Sequence, residues 1–548
     1  MKNIFLIALF LFSYSISAIS QEISKVLDVA NNIDYNEFNK NLEFLASDNL
    51  LGRETGSVGY AKAADYVADK FKENGLLPFG DEHGYFQKVP LIKRSIDKTS
   101  IDIKVKSGDD EVIASYGENI SVLVNAKQQE IRESQEMVFV GYGIIDSALN
   151  INDYEGLDVK GKTVIIVMGS PKSMKDYQQW DPFSKVRNAI SSGASGIILF
   201  FPQNLIQKMI FKQLHSFLGE PMVSLRDTSF KDEMFDFDLK VAAIARKDLI
   251  KDVFKLNNLN LNKALKKISK GKNSGQYLTG NLVYNYNINN ENIDCKNVVG
   301  IIPGTDSILS KEYVIVGAHL DHVGIGEAVK RDSICNGMWD NATGSAAILS
   351  IAKTYKDAHI QPERSLVFVC YTGEEKGLLG SSYYASKNNM SDGKMIANLN
   401  IDMLGGLFPT KDIIPMGYSH SSLSEAIDFA ASKLNFSIDD NKQEENNYLF
   451  RSDQASYLRF GVPVLNVANG YTAVDPKING QKEIDKWMKN LYHSPLDDLN
   501  QEYSKEAFLQ ALKLQFLTAY YITNELNEIK WKEDSWIYKK YVLKEIVD

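Results

Sequence analysis

A chain of 548 residues is longer than one ordinary domain, so two or three folding units are expected. Its 44% hydrophobic and 24% charged residues are those of a globular protein, and a net charge of −9 leaves no basic excess for phosphates, which argues against a nucleic-acid binder. Cys295, Cys335 and Cys370 are too few for a disulfide scaffold; one bridge could form, and its partners cannot be read from the sequence.

The chain opens with Lys2, an apolar run from Ile4 to Phe12, and a small-residue pattern ending Ala18-Ile19-Ser20. That is the pattern of a secretory signal cleaved near Ser20, which implies a secreted or periplasmic protein. So short an apolar run cannot span a bilayer, and no later stretch is long and apolar enough, so no membrane span is expected. From Asn36 to Leu77 the pattern is helical: Tyr60, Ala64, Val67 and Phe71 repeat on one face, closed by Gly75 and Pro78. Just before it, Gly52-Arg53-Glu54-Thr55-Gly56-Ser57 reads as a glycine-punctuated turn.

Between 98 and 270 strand-like runs dominate, at Ile101–Val105, Met137–Val140, Thr163–Met168 and Ile197–Phe200. His215 is the histidine of this stretch, and no acid-rich cluster accompanies it, so it offers no catalytic set. From Asn281 apolar strands return, Asn297–Gly304 and Tyr313–Gly317 first. Patterns of strand and amphipathic helix then cover 341–357, 366–371, 380–387, 396–401, 421–434, 462–468 and 503–526. Such alternation predicts an α/β fold: a mostly parallel sheet flanked by helices. Functional residues of open α/β sheets collect beyond the carboxyl ends of the strands.

Those strand ends carry a pattern. His319-Leu-Asp321-His322 follows the first, Asp340-Asn341 opens a helix, Glu374-Glu375 follows the run 366–371, and Asn400-Ile-Asp402 follows the next. Tyr492-His493-Ser-Pro-Leu-Asp497 adds a histidine near the end. Two adjacent acids at the mouth of a strand repel each other unless a cation sits beside them. Two histidines and three carboxylates form a nitrogen and oxygen ligand supply that zinc accepts, each metal taking one histidine and one terminal carboxylate with Asp340 as the bridge. Glu374 is left unligated, as a general base must be.

These residues resemble the co-catalytic di-zinc exopeptidase family that includes bacterial leucyl aminopeptidases, glutamate carboxypeptidase and the transferrin receptor. The matching elements are His319-x-Asp321, Asp340-Asn341, Glu374-Glu375-x-Gly-Leu-x-Gly-Ser, Asn400-x-Asp402-Met and Tyr492-His493. The resemblance implies two Zn2+ per chain, with His319, Asp340, Glu375, Asp402 and His493 as ligands. It places His319 and Asp402 on different metals, Glu375 with His493 or His319, and Asp340 between the two. Glu374 is implied as the base that takes a proton from the attacking water and returns it to the leaving amine. Asp321 is expected to accept a hydrogen bond from the free nitrogen of His319, and Asp497 to do the same for His493.

A second resemblance, to protease-associated domains, rests on Phe139-Val-Gly-Tyr-Gly-Ile, Asp153-Tyr-x-Gly-Leu-Asp-Val-Lys-Gly-Lys and Gly193-Ala-x-Gly-Ile-Ile. The expected organisation is a signal over 1–20, a discontinuous zinc peptidase domain over 21–97 and 271–548, and an inserted β-rich protease-associated domain over 98–270. The chain departs from the peptidase pattern at Arg451-Ser452-Asp453-Gln454, where relatives often have Ser-Asp-His. Tyr448 is the nearest candidate for the tyrosine that stabilises the oxyanion, Trp339 is expected to line the substrate pocket, and the polar stretch 470–491 has the length of a lid. The expected activity is that of a secreted aminopeptidase acting on peptides. The alternatives are a carboxypeptidase of the same family, with Arg451 and Arg459 as possible carboxylate contacts, a one-zinc glutaminyl cyclase, and a metal-free receptor-like relative. Oligomeric state has no signal in the sequence.

Overall fold

The computed structural model describes residues 21–123, 130–146, 150–171, 182–202, 211–212, 214–215, 219, 221–226, 239–272, 274–387, 393–440, 448–524 and 527–544, so the expected leader lies outside it. The chain forms two compact units, one of the residues up to Pro90 with Asp294–Asp548 and one of Leu91–Ile293. The divisions fall at Pro90/Leu91 and Ile293/Asp294, not at 97/98 and 270/271. The strands Phe86–Ile96 and Gln276–Ile302 run through these points, and a strand pattern does not mark where a strand changes partners.

In the first unit the helices α1 (Tyr35–Leu45) and α2 (Val58–Glu73) precede the sheet. The expected face of α2, Tyr60, Ala64, Val67 and Phe71, is buried. Strands β1 (Gln276–Ile302, of which Val298–Ile302 belongs here), β2 (Glu312–His319), β3 (Ser365–Tyr371), β4 (Lys394–Asn400), β5 (Asp412–Met416) and β6 (Val464–Asn469) form the sheet. Its order is β1-β3-β2-β4-β6-β5. The central four strands are parallel, and β1 and β5 pair antiparallel at the two sides. Every residue of β3 is buried, as both-face coverage requires. The covering helices are α3 (Thr343–Asp357), α4 (Ser424–Leu434), α5 (Gly480–Asn490) and α6 (Lys505–Asn524). α1 packs on α3, and α4 on α6.

β2 lies between β3 and β4, in a register that sets His319 opposite Tyr371 and Gly317 opposite Asn400. Three adjacent parallel strands therefore end at one level, and the residues that follow them meet there.

The second unit has its own parallel set: Met137–Gly141, Thr163–Val167, Gly196–Phe200 and Val241–Ala245. The first half of β1 and Asp102–Ser107 extend it antiparallel. One face of this sheet packs Phe139, Ile165 and Ile198 against Val253 and Phe254 of the helix Lys247–Leu256. The other packs Val138, Val164 and Ile197 with Ala189. The three cysteines of the chain are free and buried. No helix among the described residues is long and apolar enough to cross a membrane.

Candidate metal centre

The strand ends deliver what the sequence places there. His319 closes β2 and is buried. Its Nδ1 donates to the main-chain carbonyl of Asp321 at 3.1 Å, which turns Nε2 toward the carboxylates and leaves that nitrogen as the one a metal could take. That Nε2 lies 3.3 Å from Asp340 Oδ1 and 3.3 Å from Asp402 Oδ1. On the other side, His493 Nε2 lies 3.2 Å from Asp340 Oδ2 and 3.1 Å from Glu375 Oε2. Asp340 thus turns one carboxylate oxygen to each histidine.

A metal ion bonded at about 2.0–2.1 Å to each ligand holds tetrahedral neighbours about 3.3 Å apart. In both trios, His319–Asp340–Asp402 and His493–Asp340–Glu375, the two edges from the histidine have that spacing, and the donor set suits a borderline cation. The expectation that His319 and Asp402 serve different metals is corrected: the β2–β4 register brings them together on one side, and Glu375 pairs with His493 on the other. The Glu374 carboxylate joins the His319 side, within 4.8 Å of the facing atoms of His319 and Asp402.

His322, quoted in the sequence pattern but given no role there, is fully buried beside the second trio. Its Nδ1 is 2.8 Å from Glu375 Oε1 but 4.0 Å from Asp340 Oδ2. The short contact has hydrogen-bond length and the long one exceeds a ligand edge. His322 therefore orients Glu375 and leaves Oε2 for the His493 side. Gly337 permits this approach: its φ is +55°, and a Cβ there would stand 2.5 Å from the His322 ring.

Of the two aspartates expected to orient histidines, Asp321 meets His319 through its carbonyl, and the carboxylates of both hold main chain. Asp321 accepts from Glu374 N at 3.1 Å, Glu375 N at 3.4 Å and Thr55 Oγ1 at 2.8 Å, so the Glu-Glu turn is fastened by its own N–H groups. Gly373, with φ +69°, gives that turn its direction. Asp497 accepts from Trp339 N at 2.9 Å and Asp340 N at 3.0 Å, and it fixes the bridging residue rather than His493. Both aspartates are fully buried, and a buried carboxylate requires such donors. Asn341 ties Asp340 to the β4 end: its Nδ2 donates to Ile401 O at 2.9 Å and its Oδ1 accepts from Met403 N at 3.1 Å. The Asp340–Asn341 peptide is cis.

Trp339 packs inward. It is buried, its indole N–H donates to Leu404 O at 3.0 Å, and its ring meets Trp487 edge-on at 4.5 Å. Tyr448 is 41% exposed, and the contacts that describe it are its ring against the Arg451 guanidinium and its carbonyl accepting from Gln454. Neither joins it to the cluster. Gln454, where relatives often have histidine, accepts from Asn400 and Asn466 and donates to Leu449 O, pinning that loop to β4 and β6. The stretch 470–491 is a loop followed by α5, whose buried side chain is Trp487.

Charge in the cluster is balanced from within. Burial opposes ionisation of Asp340, but hydrogen bonds from His319 and His493 outweigh it and hold the carboxyl well below the usual range. Burial and the Asp340 charge push Glu375 up, yet His322 and His493 bring it to about 2. Burial lowers His493, but Asp340 and Glu375 raise it to about 10. Glu374 has no such compensation: burial raises it well above the carboxylate range despite His319 nearby. Burial likewise raises Asp453 to about 7. Arg53, whose turn carried no functional expectation, is a fully buried cation close to these acids. Its guanidinium donates to the carbonyls of Leu320 at 2.8 Å, Asn336 at 2.6 Å, Gly337 at 3.0 Å and Leu45.

Residues 297–518 match the model of peptidase family M28. That match covers less than half of the chain. Among curated proteins it is similar to leupeptin-inactivating enzyme 1 of Streptomyces exfoliatus, 28% identical over 37% of this chain and 43% of that protein. It is also similar to aminopeptidase Y of Saccharomyces cerevisiae, 26% identical over 37% and 34%, and to an aminopeptidase of Pseudomonas aeruginosa, 29% identical over 34% of each. The chain spans less than half the length of these relatives. In fold it is similar to the aminopeptidase from Aneurinibacillus sp. strain AM-1, with a TM-score of 0.52 at 19% identity over 93% of this chain and 98% of that one. The M28 match begins at the end of β1 and runs into α6, so it contains both trios and Glu374.

Proposed function

We propose that the chain is an exported zinc-dependent aminopeptidase that removes N-terminal residues from peptides, with two zinc ions held by His319, Asp340 and Asp402 and by His493, Asp340 and Glu375. The observation that carries this reading is Asp340, whose two oxygens stand at ligand spacing from two separate histidines, each with a second carboxylate beside it. The aminopeptidases among the relatives support the choice of reaction. Zinc bound there would polarise the scissile carbonyl and acidify a water.

The remaining chemistry belongs to the chain's own groups. Glu374 stands beside the His319 trio; with Asp340 and Asp402 as the carboxylate ligands there, it takes a proton from the attacking water and passes it to the leaving amine. Burial, which favours its protonated form, helps it hold that proton between the two transfers. Asp321 keeps the Glu374–Glu375 turn in place through its N–H groups, and so aims base and ligand together. The carboxylate-rich pocket also suits the free α-amine of a peptide. We further propose that residues 1–20 are an export leader and that the second unit is a protease-associated module, on the motifs given above.

Glu374→Gln tests the assignment. Metal content measured by mass spectrometry should stay at about two per chain, while hydrolysis of aminoacyl chromogenic substrates falls by about two to four orders of magnitude. Near wild-type turnover in that variant would show that the base is another group.

A further inference from the structure

Trp487 and Gln501 lie outside both trios, yet they complete a closed ring of contacts around one of them. Asp340 N donates to Asp497 Oδ2, and Asp497 Oδ1 accepts from Gln501 Nε2. The other end of the same amide, Gln501 Oε1, accepts from Trp487 Nε1 at 2.6 Å. Trp487 O accepts from Leu491 N at 2.8 Å at the end of α5, and Tyr492 next in the chain lays its ring on His493, 3.8 Å between centroids and 22° from parallel. His493 Nε2 then returns to Asp340 Oδ2. The edge-on contact of Trp487 with Trp339 braces the ring across its middle.

The chemistry of this ring allows one arrangement. An indole N–H only donates and a carboxylate only accepts, so the Gln501 amide satisfies both in a single orientation. His493 needs such support. It sits in a loop, its side chain is 35% exposed, and its φ is +52°. His319 has the sheet behind it instead.

We propose that Gln501 and Trp487 are positioning residues that hold His493 against Asp340, and so set the affinity of the His493–Asp340–Glu375 metal position while leaving the His319–Asp340–Asp402 position unchanged. The proposal rests on the two-metal reading of the site. Groups that orient metal ligands from behind are typically worth 10–100-fold in affinity. The full chain, stripped of metal and titrated with zinc against a chromophoric chelator, provides the test.

The wild type should bind zinc in two resolvable steps, one of which is missing in His493→Ala. In Gln501→Leu that same step should weaken by about tenfold or more while the other stays within twofold. Trp487→Phe removes the N–H together with part of the ring packed on Trp339, so it should weaken the same step even if Gln501→Leu folds poorly. Both steps unchanged in Trp487→Phe, or both weakened alike, would overturn the proposal. Fewer than two steps in the wild type would overturn the two-metal reading, and this inference with it, before any variant is measured.

Discussion

The two sides of the cluster use the same ligand chemistry on different supports. His319 is the last residue of a buried central strand, 1% exposed, with its own carbonyl accepting from Ser345 in the first turn of α3. His493 rides a loop, 35% exposed, steadied by a ring stack and by a side-chain relay to α5. A strand-end ligand is fixed by the sheet and moves only if the sheet does. A loop ligand needs supports of its own and can be displaced alone. One side is rigid by topology, the other by side chains.

Asp340 is where the two sides join, so its loss should have the largest effect. Asp340→Ala should fall from about two metals per chain to nearly none and lose peptidase activity, while circular dichroism shows the fold intact. A full metal complement in that variant would sink the bridging role. Removing one histidine at a time separates the sides. His319→Ala and His493→Ala should each lose about one metal by mass spectrometry. His319→Ala should lower the melting temperature of the stripped protein further, because it opens a cavity at a fully buried site. Equal shifts in calorimetry would remove the contrast between sheet and loop.

The smallest expected effect is a pH dependence of the stripped protein. His493 is raised from 6.5 to about 10, so its contribution is complete below 6.5 and is lost as pH rises through 10. Glu375 is lowered from 4.5 to about 2, so its contribution is complete above 4.5 and is lost as pH falls through 2. Melting temperature should therefore decline from pH 6.5 toward pH 10, and His493→Gln should shallow that limb. A limb of unchanged slope in the variant would assign it to other groups. Because His493 is partly exposed, salt should weaken its share.

What was legible in the sequence follows the sheet. Parallel strands end at one level, so the residues after His319, Tyr371 and Asn400 could be brought together from their spacing alone. The pairing of His319 with Asp402 was not legible, because it depends on which strand neighbours which. Asp321 does accept from His319, but through its carbonyl, while its carboxylate and that of Asp497 hold main-chain N–H groups. Their spacing to a histidine is visible in the sequence, whereas the N–H groups of a distant turn are not. Gln501 and Trp487 carry no motif, and their relay exists only once α5 has docked.

Arg53 has a consequence in time. Its most distant partner along the chain, the carbonyl of Gly337, comes 284 residues later. At the usual 5–20 residues per second of synthesis, the guanidinium waits roughly a quarter of a minute to a minute before that partner exists. The whole second unit is made in that interval. The buried cation under the carboxylates is thus among the first parts of the site to be synthesised and among the last to be enclosed. A slowed ribosome should therefore lengthen the exposure of this segment to proteases more than that of any strand end.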